Sequence, residues 1–489
     1  MRIVTMLEDI DLDDLRGLGG VHRLTGRALM TKWMVDGLVV DSRVEEFALY
    51  RDGDASPPLT ALPTKEFAEW AGKGESVWFE PARHYWWKAA VVRQCLGVDV
   101  PIVTMMHSIG YSRQVLPLIA CLAVGQGNND VVVAGSKVSA DAFREQCGSL
   151  AEALNLREND VRVEVVPYGI PQVAAVSRSI ARQVLGWDSV PRMLFIGRLT
   201  EDDKVDLYAF LEGASRLLSQ KCEFRLVLAG ACTPVQEALV RHKVDAFDLR
   251  GVVDVRPNIT ECEKHLLLSG ADVFVSPSNT VAENFGLTVV EAMMHGLAVV
   301  CSDWGGYREL VRDGVDGFRV NTWWCSSRAD AMELPFAVGN VETLSSIVAI
   351  DVGHLTMCLK RLVEDAALRT SFGRAGKTRA EAEFSIQRTV RRIANVLEAC
   401  AAAPRQEGKA VELGVVRALG RYANSIVCDG GLVLADGMAN PSRAVRAAAL
   451  RQARSFLMWE SMLASGSLSL DAESFELVRR GLGKVMSDV

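Results

Sequence analysis

The chain has 489 residues, which is too long for one ordinary hydrophobic core, so we expect two or three domains. Its apolar fraction of 49% predicts well-buried globular domains, and its net charge of -7 argues against a nucleic-acid partner. Eleven scattered cysteines without a C-x-x-C pair indicate reduced thiols in a cytoplasmic protein, and no signal peptide or membrane span is predicted.

The first third of the chain has the pattern of an alternating α/β fold. Short apolar runs predict strands at residues 2–7, 47–50, 77–79, 101–106, 131–134 and 162–166. The loop after the first strand carries Gly19 and Gly20, but it is too long, and lacks a third glycine, for a dinucleotide-binding G-x-G-x-x-G. A nicotinamide-dependent oxidoreductase is therefore disfavoured.

The same loop is acidic, with Asp9, Asp11, Asp13 and Asp14. A D-x-D pattern is able to hold a divalent metal against a diphosphate. A solvated acidic loop is the favoured interpretation, and we expect no metal.

Residues 81–96 combine basic and aromatic side chains at helical spacing. Such a segment is able to contact an anionic lipid surface, so peripheral membrane contact is one interpretation, and a packed helix with a solvated basic face is the favoured one. His107 follows the strand predicted at 101–106, and ligands of α/β sheets bind at the carboxyl ends of strands. The alternative for His107 is an imidazole satisfied by backbone groups.

The second half opens with a strand predicted at 193–196, followed by Arg198 and, six residues later, Lys204. Two cations fixed in one loop are able to clamp both phosphates of a nucleoside diphosphate. They also offset the negative charge that grows on a departing diphosphate. A solvated charged turn is the alternative. Further strands are predicted at 225–229, 252–255, 273–275 and 297–301.

Residues 271–320 form a strand, loop, helix and strand, as in a βαβ unit of a parallel sheet. The helix-period segment opens with Asn284, Phe285, Gly286 and Leu287. Backbone N–H groups at a helix start attract phosphate, and Glu283 and Glu291 flank this start on both sides. Two carboxylates at this position suit a ligand that has a sugar at each end of a diphosphate. The alternative interpretation is that both glutamates are solvated helix charges.

This segment resembles the C-terminal signature of the retaining glycosyltransferases of family four, which have the GT-B fold. Glu283 and Glu291 match the family's Glu-x7-Glu motif inside E-N-F-G-L-T-V-V-E-A-M. Gly305-Gly306-x-x-Glu309 and Asp313-Gly314-x-x-Gly317 match as well. The similarity extends more weakly from residue 1 to about 400. The loop from Arg198 departs from the family pattern, with one extra residue before Lys204 and Val205 in place of a glycine.

The resemblance implies two doubly wound parallel-sheet domains, both Rossmann-like, that face a cleft. We expect an N-terminal acceptor-side domain at 1–170 and a C-terminal nucleotide-sugar-binding domain at 171–383. A crossover helix at 384–400 is expected to pack back on the first domain. Residues 401–489 lie beyond the family pattern, and their apolar helical spacing predicts an appendage for docking or oligomerisation.

The resemblance also assigns roles to residues. The catalytic set is His107, Arg198, Lys204 and Glu283. Donor binding is assigned to Gly19, Gly20, Arg198, Lys204, Glu283, Asn284, Phe285, Gly286, Leu287 and Glu291. Cations and a helix start neutralise the diphosphate in this scaffold, so no metal or other cofactor is expected.

The predicted function is transfer of a sugar from a nucleotide-diphosphate sugar to a glycan, lipid or small-molecule acceptor, with retention at the anomeric carbon. The rival hypothesis is a catalytically inactive homologue that serves as a partner-binding subunit. The matching Arg198, Lys204, Glu283 and Glu291 argue against it, because an inactive site need not keep all four.

Overall fold

The computed structural model describes residues 1–7, 26–51, 59–109, 111, 114–153, 161–172, 176–200, 204–324, 345, 348–404, 426–428 and 431–433. Gly19, Gly20, the acidic loop and nearly all of the predicted appendage at 401–489 lie outside the described residues.

The first half of the chain forms a parallel sheet. Its strands are β1 (Arg2–Thr5), β2 (Glu46–Tyr50), β3 (Thr60–Leu62), β4 (Ser76–Glu80), β5 (Ile102–Met106), β6 (Val131–Ala134) and β7 (Val163–Val165). They are hydrogen-bonded in the order β3-β2-β1-β4-β5-β6-β7. The helices between them are α1 (Gly26–Val39), α2 (Thr64–Gly72), α3 (Trp87–Cys95), α4 (Val115–Val124) and α5 (Lys137–Ala153).

The second half forms another parallel sheet. Its strands are β8 (Arg192–Ile196), β9 (Arg225–Gly230), β10 (Val253–Pro257), β11 (Val273–Ser276), β12 (Ala298–Ser302) and β13 (Gly317–Val320). They are ordered β10-β9-β8-β11-β12-β13. The helices are α6 (Arg178–Leu185), α7 (Leu207–Ser219), α8 (Pro234–Ala246), α9 (Glu261–Gly270), α10 (Leu287–Met294), α11 (Tyr307–Leu310), α12 (Val352–Glu364), α13 (Ala366–Glu383) and α14 (Ile386–Ala402).

Two short antiparallel pairs complete the described elements. They are β14 (Thr322–Trp324) with β15 (Val348–Ile350), and β16 (Ile426–Cys428) with β17 (Gly431–Val433).

The central strands are largely apolar because helices cover most of both faces of each sheet. Every residue of β5, β6, β8, β11 and β12 is buried. The strands predicted from apolar runs are therefore confirmed. Two strands of the parallel sheets were not predicted, namely β3 and the edge strand β13 that follows Asp313-Gly314, and neither were the four strands of the antiparallel pairs. All six are only three or four residues long, which is too short for a periodicity signal.

The chain crosses between the two sheets at adjacent points. Ile170, after β7, donates its N–H to the carbonyl of Phe384 at 3.0 Å, and Ile386 donates to the carbonyl of Ile170 at 2.9 Å. A side chain on Gly169 would lie 2.5 Å from the Ser385 backbone, so glycine is required there. Helix α14 then packs against α1 and β4 of the first sheet.

Residues 81–96 contain less helix than predicted, since α3 begins only at Trp87. Trp86 and His84 are buried, and Arg93 forms a two-point ion pair with buried Asp130 at 2.7 and 2.9 Å. Trp86, His84 and Arg93, three of the aromatic and basic residues that suggested peripheral membrane contact, thus pack within the fold. Within the part of the chain that the structure describes, every helix is too short or too polar to cross a bilayer.

Candidate active site

The predicted site residues lie at the carboxyl ends of parallel strands, where such sheets bind ligands. His107 follows β5, Arg198 follows β8, and the loop from Ser278 to Gly286 follows β11. The three segments meet where the two halves of the chain face each other.

Lys204 and Glu283 form an ion pair, with Nζ 3.1 Å from Oε2. The Glu283 side chain is 11% exposed and that of Lys204 is 30% exposed. Burial tends to lower the pKa of Lys204, but the facing carboxylate outweighs it, so this pKa lies above its usual value. The irregular spacing of the Arg198 loop therefore still delivers a charged ammonium to Glu283.

Arg198 is exposed and reaches across the cleft. Its Nη2 lies 3.4 Å from the hydroxyl of Tyr111, a residue of the first half. The Arg198 guanidinium thus contacts the first half of the chain directly.

The predicted helix start is displaced by three residues. Helix α10 begins at Leu287 and not at Asn284, because Gly286 takes a left-handed φ of 105° as its N-cap. No side chain caps this end, and a Cβ on Gly286 would lie 2.4 Å from the Tyr307 ring. A glycine N-cap without a side-chain acceptor leaves the helix start open to a bound anion.

Gly305 and Gly306 let this loop pack closely. A Cβ on Gly305 would lie 2.7 Å from the Glu283 carbonyl oxygen, and Gly305 has a φ of 50°. A Cβ on Gly306 would lie 2.3 Å from the Asn284 carbonyl oxygen and 2.7 Å from Phe285 Cα. The glycine pair therefore sets the position of the Glu283–Phe285 backbone.

Asn284 and Phe285 are buried and join the loop to the first half of the chain. Asn284 Nδ2 donates to the carbonyl of Met106 at 2.5 Å. The hydroxyls of Ser136 and Ser139 donate to the Asn284 carbonyl at 2.7 and 2.9 Å. Phe285 packs 5.5 Å from the Tyr168 ring and 5.9 Å from Phe384. The two residues thus hold the loop in place by contacts with the first half.

Glu309, the last residue of the motif Gly305-Gly306-x-x-Glu309, makes a further link between the two halves of the chain. Its carboxylate accepts hydrogen bonds from the backbone N–H groups of Lys137 and Val138 at 3.0 and 2.8 Å. A carboxylate at the first turn of α5 stabilises the exposed donors and the helix dipole. The motif residue therefore caps a helix of the opposite half.

Glu291 is buried and paired with Lys264, with 2.8 Å between Nζ and Oε1. Lys264 also pairs with Glu261 at 2.8 Å. The interpretation of Glu291 as a solvated helix charge is therefore wrong, and its contact with a ribose stays a prediction.

His107 is half-buried, and its Nε2 lies 2.6 Å from the carbonyl of Pro81. Since a carbonyl only accepts, Nε2 carries the hydrogen and donates to the backbone. His107 Nε2 is therefore satisfied by a backbone group, as in the alternative interpretation of this residue. Donation of a hydrogen bond from His107 to a sugar stays a prediction.

Beside His107, two buried groups have displaced pKa values. Burial raises the pKa of Glu80 from 4.5 to about 7, although the Trp78 indole and the Met6 N–H both donate to it. Burial lowers the pKa of His84 from 6.5 to about 3. Both groups are therefore predominantly uncharged just below neutral pH.

These shifts predict a pH dependence of stability. The unfolded carboxyl ionises above pH 4.5 and the folded one only near 7, so the stabilisation from Glu80 is complete below pH 4.5 and is lost as the pH rises through 7. His84 acts oppositely, since its contribution is lost as the pH falls from 6.5 towards 3. We expect wild type to lose about 3 kcal/mol relative to Glu80→Gln between pH 4 and 8, measured by denaturant unfolding. An exposed control, Glu69→Gln, should show no such difference above pH 5. If the stability of Glu80→Gln depends on pH as that of wild type does, the raised pKa of Glu80 is disproved.

Several site residues were not predicted from sequence. Tyr111, Ser136 and Ser139 belong to loops and a helix start without a motif. Tyr307 lies 2.9 Å from the Ser276 hydroxyl; burial, aided by nearby Glu283, raises its pKa well above the usual value, so it stays protonated. Tyr168 is a further residue without a predicted role, and its hydroxyl donates to the carbonyl of Met106 at 2.5 Å.

Comparison with known proteins agrees with this geometry. Residues 190–334 match the family model described as glycosyl transferases group 1. The chain is 28% identical over 320 residues to the alpha-maltose-1-phosphate synthase of Mycobacterium tuberculosis, which covers 62% of this chain and 74% of that protein. It is 30% identical over 256 residues to the D-inositol 3-phosphate glycosyltransferase of Geodermatophilus obscurus, covering 48% of this chain and 54% of that protein.

Two solved structures share the fold. Sucrose-phosphate synthase from Thermosynechococcus elongatus has a TM-score of 0.57 at 18% identity, and covers 83% of this chain and 100% of its own. HepE from Anabaena, in complex with UDP and glucose, has a TM-score of 0.56 at 17% identity, and covers 82% of this chain and 100% of its own.

The two facing parallel sheets and these similarities define a glycosyltransferase of the GT-B fold. The stretch that matches the glycosyl transferases group 1 model contains all six strands of the second sheet, β8 to β13. The predicted fold and enzyme class are confirmed, and the similarities agree with the predicted family.

Proposed function

We propose that this enzyme transfers a sugar from a nucleotide-diphosphate sugar to an acceptor bound by the first half of the chain, with retention at the anomeric carbon. The Lys204–Glu283 pair beside the open start of α10 carries the proposal. A cation able to bind phosphate and a carboxylate able to bind sugar hydroxyls lie side by side in this pair. The similarity to structures with bound UDP and UDP-glucose supports a donor of this class.

Each group in the site has a defined task in this proposal. The Lys204 ammonium has three N–H donors, so it is able to bind Glu283 and a phosphate oxygen together. Arg198 adds a planar guanidinium that binds phosphate oxygens in pairs. Glu283 accepts hydrogen bonds from sugar hydroxyls and fixes the ring over the helix start. The cations then stabilise the charge that develops on the departing diphosphate.

Retention requires that the acceptor attack from the face that the diphosphate leaves. The sequence indicates no covalent nucleophile, and the Glu283 carboxylate is paired with Lys204. We therefore assign the acceptor proton to a departing phosphate oxygen. The hydroxyl oxygen forms the new glycosidic bond as the bond to the diphosphate breaks, and the electron pair of that bond stays with the phosphate.

The contacts across the cleft favour a closed reaction chamber. Asn284, Glu309 and Arg198 each join the donor-side loops to the first half. A closed cleft excludes water, which would otherwise hydrolyse the donor.

A thermal-shift screen of nucleotide-diphosphate sugars tests the proposal. A ligand present at a hundred times its dissociation constant stabilises the fold by about 2.7 kcal/mol, so the true donor should raise the melting temperature clearly. Donor consumption with candidate acceptors then identifies the second substrate. Absence of any shift and of any donor consumption would refute the proposed activity.

We predict that turnover does not require a divalent metal. The described ranges contain no cluster of three acidic, histidine or cysteine side chains placed to hold one, and the loop around Asp11 lies outside them. Two cations and a helix start supply positive charge to the diphosphate instead. Initial rates should therefore be unchanged by a chelator. Loss of activity with chelator, restored by magnesium or manganese, would make the aspartates of that loop the first candidates as ligands.

A further inference from the structure

A cavity of about 340 Å³ opens on the second sheet, away from the proposed donor site. It begins at the amino ends of β8, β9 and β10, whereas Arg198 and Glu283 follow the carboxyl ends of β8 and β11. Its lining includes Trp187, Arg192, Arg225, Asp254 and Arg256. The cavity is therefore separate from the site described above.

The path of the chain explains why this sheet face is open. Helices α7 and α8, which connect β8 to β9 and β9 to β10, pack in one core cluster with Leu226 and Leu228. The alternate residues Arg225 and Val227 face the other side, on which α9 returns from β10 to β11. Strand β10 is at the edge of the sheet. Charged side chains occupy positions where a covering helix would require apolar ones.

The cavity has an excess of positive charge. Arg192 and Arg225 are direct neighbours in the register of β8 and β9. Arg192 is 8% exposed and pairs with Asp188 at 2.9 Å, and its Nε is buried without a hydrogen-bond partner among the described residues. Arg225 donates to the Phe224 carbonyl at 3.4 Å, and no carboxylate within the described ranges pairs with it.

The third arginine and the tryptophan complete the lining. Arg256 pairs with Asp254 at 2.7 Å. The guanidinium carbons of Arg192 and Arg256 lie 5.3 and 6.0 Å from the Trp187 ring centroid. The indole is packed against Gly270, so it fixes the direction of the two arginines. Burial lowers the pKa of Arg192, with Arg225 and Arg182 acting in the same direction and Asp188 and Asp272 against it.

We propose that this cavity binds a small phosphorylated ligand, such as a sugar phosphate or a free diphosphate, as a second site of the enzyme. Planar guanidinium groups bind phosphate oxygens two at a time, and a nearly buried arginine binds them more strongly than an exposed one. The volume lies at the lower end of roughly 300–1,000 Å³ for small-molecule sites. It suits a sugar phosphate and is small for a complete nucleotide-diphosphate sugar.

The test is calorimetric titration of the full-length chain with inorganic pyrophosphate. All titrations use the Lys204→Ala variant as background. Because this substitution weakens binding at the proposed donor site, the remaining pyrophosphate binding reports on the cavity. Adding Arg225→Gln is expected to weaken binding about tenfold or more, since a hydrogen bond to a charged group is lost. Arg216→Gln, an exposed arginine on α7, is the matched control and should bind as the background does.

Asp254→Asn is expected to increase the affinity for pyrophosphate, which a misfolded variant would not do. It removes a negative charge and releases Arg256, so pyrophosphate should bind several-fold more tightly. Equal affinity in Arg225→Gln and Arg216→Gln, or unchanged affinity in Asp254→Asn, would overturn the proposal. The proposed transferase activity would be unaffected by that outcome, because no residue of the cavity belongs to the donor site.

Discussion

Replacing Lys204 by alanine is expected to weaken binding of the free nucleoside diphosphate and to slow turnover, whereas Glu283→Ala is expected to slow turnover alone. In the proposed mechanism, Lys204 carries the charge that meets both the bound and the departing diphosphate, and Glu283 contacts only the sugar. Each lost hydrogen bond to a charged group is worth roughly 1.5–3 kcal/mol. When it acts chiefly in the transition state, that is about ten- to a hundred-fold in rate.

Calorimetry with the free diphosphate and initial rates with the full donor separate the two effects. Lys73→Ala is a matched control, because Lys73 pairs with Glu69 at 2.6 Å on the exposed surface of the first half. The ion pair in the site also calls for the double variant, since Lys204→Ala leaves a mostly buried carboxylate without its cation. Wild-type rates in Glu283→Ala, or an equal loss of diphosphate affinity in both single variants, would disprove the assignment of Glu283 to the sugar.

A single methyl group at Gly306 is expected to reduce the rate about 100-fold by displacing the Glu283–Phe285 backbone, with every site side chain still present. The added Cβ would lie 2.3 Å from the Asn284 carbonyl oxygen, so the loop that carries Glu283 must move. A displacement of about 1 Å in a positioning element is sufficient for a loss of that size. Overpacking should also cost about 1–3 kcal/mol of folding free energy.

Gly148→Ala is the control for this substitution. Gly148 lies within α5, and a Cβ there has no atom within 4 Å, so alanine should leave the rate unchanged and stabilise the fold slightly. Initial rates and melting temperatures of the two variants are compared below the lower melting temperature. A Gly306→Ala enzyme that turns over like wild type would show that the loop position does not control Glu283.

The fold was predictable because each buried strand is a run of apolar residues and the E-N-F-G-L motif identifies the unit around α10. The same local signals misplaced the start of α10 by three residues. Gly286 caps the helix with a left-handed φ, and Tyr307, which is distant in sequence, leaves no room for a side chain at this position.

The partners of the site residues were not predictable for a related reason. Lys264 pairs with Glu291 because neighbouring βα units pack side by side, and Glu309 caps α5 because the two halves of the chain face each other. Motif spacing identifies the side chains that carry charge, and it contains no information about the neighbours that neutralise them. The Trp187 cavity likewise arises from the order of strands and helices, since its arginines are spread from Arg192 to Arg256.

The adjacent crossings at Ile170 and Phe384 have a consequence for biosynthesis. Helix α14, which packs on the first sheet, is translated after the whole second sheet. The segment between the crossings has its two ends hydrogen-bonded to each other, so it is able to fold as a closed unit while the ribosome is still adding α14. The first sheet stays without the cover of α14 until then. On the ribosome, the half that is made first is therefore completed last.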